Sequence, residues 1–120
     1  MSQITKNILM IKPSSFGFNN DTSGDNYFQK QINHLSQSEI RLKAIEEFEN
    51  MCSILKKNGI NIIVFENDEN KKLTDDVFPN NWISFHANKY VIHSMYAKSR
   101  RGEKNKSFIK FILKFYSTYR

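Results

Sequence analysis

Cysteine is nearly missing from this chain: Cys52 is the only one in 120 residues, which excludes an internal disulfide framework and any metal site built from several thiolates. Glycine and proline are sparse too, at four and two, and no Gly-rich phosphate loop, serine nucleophile elbow or zinc-type Cys/His spacing occurs. Long apolar runs are lacking. Ile8 to Ile11 and Ile62 to Phe65 are the longest, far short of the roughly 20 residues that span a bilayer, so no membrane association is expected. The first six residues show neither a basic start followed by an apolar stretch nor a small-residue cleavage site, and the expected compartment is the cytoplasm. Internal repeats and low-complexity segments are also absent.

What is present fits one small domain over residues 1–120, with 39% hydrophobic and 25% charged residues and enough length to bury a real core. The net charge of +6 is unevenly placed: residues 97–120 carry +7 and the rest of the chain −1. A partner attracted by charge would therefore meet the C-terminal segment, whose bland reading is a solvated helix face.

Ile8-Leu9-Met10-Ile11, closed by Lys12-Pro13, reads as a buried strand and its exit. Residues 14–37 are rich in Ser, Asn, Asp, Gly and Gln, with Phe16, Phe18, Tyr27 and Phe28 among them and no sustained period, which predicts a long loop. Ser38 and Glu39 supply a cap and an acidic first turn for a helix whose apolar face is Ile40, Ala44, Ile45, Phe48, Met51, Cys52 and Leu55. Lys56, Lys57 and Asn58-Gly59 close it. Ile60 to Phe65 predicts a second strand covered on both faces, so strand, helix, strand gives an α/β unit. Ile83 to His86 and Tyr90 to Met95, joined by Ala87-Asn88-Lys89, read as a hairpin. From Asn105 onward, Phe108, Ile109, Ile112, Leu113, Phe115 and Tyr116 recur at helical spacing beside a Lys106, Lys110, Lys114 stripe.

Asp75 to Trp82 concentrates two carboxylates, two amides, a proline and the only tryptophan in eight positions. A carboxylate accepts two parallel hydrogen bonds from a guanidinium or amidinium fork, amide oxygens take remaining donors, and Phe78 or Trp82 offers a face to the planar cation. The bland alternative is an ordinary turn with Trp82 in the core. Cys52, on an apolar helix face with no neighbouring His, reads as a buried inert thiol. His86 and His93 lie on neighbouring strands and could face each other across a hairpin, but without a third ligand or a carboxylate at suitable spacing they read as satisfied strand histidines, and no metal is expected. His34 has no evident partner. Arg100 to Lys104 could bind an anion or serve as a helix-entry loop with local ion pairs.

Taken together, Ile8 to Pro13 with Phe16-Gly17-Phe18-Asn19, Glu47-Phe48, Asn58-Gly59-Ile60, Asp75 to Trp82 with Ser84 and His86, Met95-Tyr96-Ala97 and Arg100-Arg101 resemble the citrulline-utilisation hydrolase branch of the amidinotransferase-like, guanidino-group modifying family. The match in order and spacing runs from residue 8 to about residue 116. The resemblance implies a pentein fold, a five-bladed α/β propeller of ββαβ modules around a substrate channel, of which this chain would supply the first blade and part of the second. It implies C–N bond cleavage at guanidino or ureido carbons through a cysteine nucleophile, helped by a histidine and an acidic residue. It also implies a substrate-binding wall of Asp75, Phe78, Asn80 and Asn81, with Phe16 nearby. The three catalytic groups have no counterpart here: Cys52 matches a packing helix, neither His86 nor His93 matches the catalytic histidine, and Ser94 replaces a proline usual before the Met.

The expected partner is thus a small guanidino or ureido compound such as citrulline or arginine, bound without a cofactor and turned over only if a further part of the ring is supplied. Exposed blade edges would invite self-association. A reading of another class is a small basic α/β module meeting nucleic acid or an anionic surface through Lys98 to Lys114 with Phe108, Phe111 and Phe115, which the resemblance makes the weaker of the two.

Overall fold

The computed structural model describes residues 4–17 and 36–119. Strand β1 (Asn7–Ile11) is followed by helix α1 (Gln37–Lys57) and strand β2 (Asn61–Phe65), and the two strands pair in parallel with Ile8 opposite Ile62 and Ile11 opposite Phe65. A crossover helix is what parallel neighbours require. Strands β3 (Ile83–Phe85) and β4 (Tyr90–Ile92) form an antiparallel hairpin, and helix α2 (Lys106–Tyr119) ends the described chain. Short 3-10 turns at Glu69–Lys71, Pro79–Asn81 and Lys98–Lys104 lie between these elements. Phe18, Tyr27, Phe28 and His34, with most of the expected 14–37 loop, lie outside the described residues.

The alternation of side chains along β1 and β2 sends them to two separate cores. Ile8, Met10 and Ile62 pack on Phe48, Cys52 and Leu55 of α1. On the other face, Leu9, Ile11 and Phe65 meet Trp82, Ile83, Phe108 and Ile112. Aromatic rings bind this second layer: Phe65 stacks on Phe108 with centroids 4.7 Å apart, and Trp82 meets Phe108 edge-on at 5.3 Å.

Helix α1 starts two residues earlier than its sequence pattern predicts. Ser36, not Ser38, is the cap: its hydroxyl accepts from the Glu39 amide while the Glu39 carboxylate accepts from the Ser36 amide, a reciprocal box that satisfies two otherwise orphaned donors. At the other end Gly59 takes φ +80°, a conformation that costs a residue with a Cβ about 1–2 kcal/mol.

Both faces of β2 are covered, as expected, though not along its whole length: Ile62 packs under α1 and Phe65 meets the second core, while Val64 stays 40% exposed. The hairpin strands are shorter than expected. The amide of His93 donates to the Trp82 carbonyl, but Trp82 already turns into the 3-10 segment, its amide bonded to Pro79. With no ladder left to pair with, the carbonyls of Met95 and Tyr96 accept instead from the Arg101 guanidinium. The class is α/β as read, and among the described residues the two sheets remain separate, without closure into a propeller.

Candidate functional site

Residues 75–81 wrap around one guanidinium, and it belongs to Arg100. Its Nη1 donates to Asn81 Oδ1 at 2.7 Å, and Nη2 donates to the carbonyls of Asp75 at 3.1 Å and Phe78 at 3.3 Å. Nε and Nη2 also grip the two Glu103 oxygens at 2.8 and 3.0 Å. This fork-to-fork pair is largely removed from water, with Glu103 only 2% exposed, where charge-assisted bonds are strongest and most costly to break. The loop therefore is built to surround a planar cation, and the cation inside it is intramolecular.

Behind the loop runs a chain of buried amides and acids. Asn105 caps α2 by accepting from the Phe108 amide, and its own amide nitrogen donates to Asn67 Oδ1. Asn67 in turn donates to Asp76 Oδ2 at 2.9 Å. Asp76 Oδ1 and Trp82 Nε1 are buried and have no hydrogen-bond partner among the described residues. Burial raises the Asp76 carboxyl to about 6, against an ordinary 3.8; the Asn67 bond and Arg100 lower it, while Glu103 and Asp75 add to the rise.

The expected wall residues divide. Phe16 and Phe78 meet edge-on with centroids 6.4 Å apart, and Phe78 is exposed, so the structure brings these two aromatics together at the loop's outer side. Asp75 is buried at its base, and Asn81 faces Arg100. Asn80 is exposed and, with Pro79, turns to a different place: an apolar cavity of about 810 Å³ between β1, the hairpin and the aromatic end of α2.

The other candidates take the blander of their readings. Trp82 is core, fully buried. Cys52 is buried under α1, its thiol pushed up by desolvation, with Lys56 lowering and Glu49 raising it, the reverse of an activated nucleophile. Arg100 to Lys104 is indeed a helix-entry loop with a local ion pair. What the sequence reading missed is that Arg100 and Asn105 organise the loop from 19 and more residues away. An Arg and a Glu three apart, just before a helix, were the available signal.

The class to which this βαβ unit and loop belong, guanidino-modifying hydrolases, is given by a family comparison. The family model described as N,N dimethylarginine dimethylhydrolase, eukaryotic, matches residues 12–120. The chain belongs to that family, a pentein-type group of guanidino-modifying hydrolases. No curated protein and no solved structure matches it.

Proposed function

We propose that this chain is the N-terminal portion of a guanidino- or ureido-directed hydrolase, in which the Asp75 to Asn81 loop and Phe16 form part of the substrate wall while the cysteine nucleophile and its histidine and acidic helpers come from a further part of the ring. The observation that supports this reading is the loop itself: three of its acceptors, the Asn81 side chain and the Asp75 and Phe78 carbonyls, are held on one guanidinium by Arg100. Pinned from behind in this way, the turn presents the exposed Phe78 ring beside the half-buried Phe16, an aromatic edge on which the planar group of a substrate rests. Covalent cleavage needs a nucleophile and a base within hydrogen-bond reach, and the only thiol here is buried. The wall alone therefore binds without turnover. Among substrates, citrulline and arginine follow from the motif resemblance, and N,N-dimethylarginine from the description of the matching family model.

The test is a two-dimensional amide NMR titration of the chain with citrulline, arginine and N,N-dimethylarginine, with ornithine as the side-chain control. Peak movement at Phe16, Asp75, Phe78, Asn80 and Asn81 with one of the three and not with ornithine is the expected result, at roughly millimolar affinity for a half-site, about −4 kcal/mol. A well-dispersed spectrum unmoved by all three would overturn it. The basic-helix reading has less to stand on, because Phe108 and Phe111, two of its three stacking aromatics, pack on Phe65.

A further inference from the structure

The hairpin holds a cluster that the guanidino-hydrolase reading leaves unused. Ser84 Oγ lies 3.1 Å from Nε2 of His86 and 3.1 Å from Nε2 of His93. The register explains this convergence: Ser84 on β3 and His86 just past its end are second neighbours on one face, and His93, just past β4 and bonded through its amide to Trp82, is the diagonal neighbour of Ser84. The two rings thus reach toward the same hydroxyl from opposite ends. Their Nε2 atoms stand no more than 6.2 Å apart.

We propose that His86 and His93 form a cross-strand site for a divalent transition-metal ion of the zinc, copper or nickel class, with the ion taking the place now held by the Ser84 hydroxyl. Two imidazoles on one such ion need nitrogens about 4 Å apart or less, given metal–nitrogen bonds of about 2.0–2.1 Å. Both histidines are exposed, so modest ring rotations close the difference and the ion arrives from solvent. Imidazole selects borderline ions, and the lack of a carboxylate partner disfavours calcium and magnesium; among the described residues no three His, Cys, Asp or Glu side chains gather. The remaining positions are left to water. The nearby cations are Lys104, whose ammonium donates to the His93 carbonyl, and Lys89, whose carbonyl accepts from the His86 amide; neither side chain offers a competing ligand. A bound ion ties β3 to β4 across a hairpin of only three paired positions.

Titration calorimetry of the whole chain with Zn²⁺ is expected to give one saturable site that weakens at least about tenfold in H86A and in H93A, a loss of the size that even outer-shell changes cause. C52S and H34A are expected to leave it unchanged, and S84A to retain it. Cu²⁺ bound to the unaltered chain is expected to show two coupled imidazole nitrogens by electron paramagnetic resonance. Absence of saturable Zn²⁺ binding, binding undiminished in the H86A/H93A double variant, or a Cu²⁺ spectrum with fewer than two such nitrogens would overturn the proposal. The spectrum decides even if a variant does not fold.

Discussion

The two faces of the β1–β2 sheet are covered by different kinds of structure. On one side α1 is assembled from local signals: a capping box at Ser36, basic residues in its last turn and a left-handed glycine just beyond. Its cluster on the sheet is small among the described residues, with Phe48, Cys52 and Ile62 buried there and Leu42 and Ile54 left more than half exposed. On the other side the hairpin and α2 enclose Trp82 and Phe108 and carry a buried polar network from Glu103 through Arg100 to the 75–81 loop, and from Asp76 through Asn67 to Asn105. The first side is a helix that its own sequence specifies. The second exists only when distant segments meet, and the candidate site lies there, because a loop rich in polar backbone keeps one shape only if other segments satisfy it.

That contrast is open to direct attack, most severely at the second side. Trp82→Ala empties the centre of the larger core and is expected to cost about 3–5 kcal/mol, read as a fall in the urea midpoint. Glu103→Ala leaves the Arg100 guanidinium largely buried without its carboxylate, an expected loss of about 3 kcal/mol. The accompanying signature is local: amide exchange should quicken at Asp75 to Asn81 before it does in α1. If exchange rises equally on both sides of the sheet, the two faces are one cooperative unit and the contrast fails.

Asp76 sharpens the comparison through pH. Its folded carboxyl ionises near 6 and its unfolded one near 3.8, so between these values the folded chain binds more protons than the unfolded one. Stability from this group is present below about pH 4 and is lost as pH rises through 6. Asp76→Asn keeps an oxygen for Asn67 and removes the titration, so the variant is expected to flatten the fall in stability between pH 4 and 6 and to exceed the parent at pH 7. Urea midpoints across that range check it. The smallest effect belongs to the first side: Ser36→Ala breaks the capping box at an expected cost of about 1 kcal/mol, with the 75–81 loop unchanged by NMR.

Much of the frame was legible beforehand. Both parallel strands, the long helix, the hairpin and α2 follow from apolar periodicity, and their ends were misjudged by a few residues where a competing local bond took over, as at Ser36 and Trp82. The Asp75 to Trp82 segment stood out by composition, but the guanidinium it meets is held by the backbone carbonyls of Asp75 and Phe78 and by the Asn81 side chain, which composition does not encode. Which guanidinium it encloses was not legible either. Arg100 is 22 residues from Phe78 and 25 from Asp75, and no periodic rule links such positions. That His86 and His93 could face each other across the hairpin was legible; that both rings meet at the Ser84 hydroxyl was not, since it depends on where the register falls.

By itself, then, the sequence determined the class of the fold, the order of its elements and the family, because each is written in local patterns of polarity and motif. Only the tertiary structure decided which carbonyls Arg100 holds, that Asp76 is buried beside Glu103, and that Asn80 turns to a cavity while Asn81 turns inward. Those outcomes rest on burial and on long-range hydrogen bonds, which exist only once the two faces of the sheet are covered.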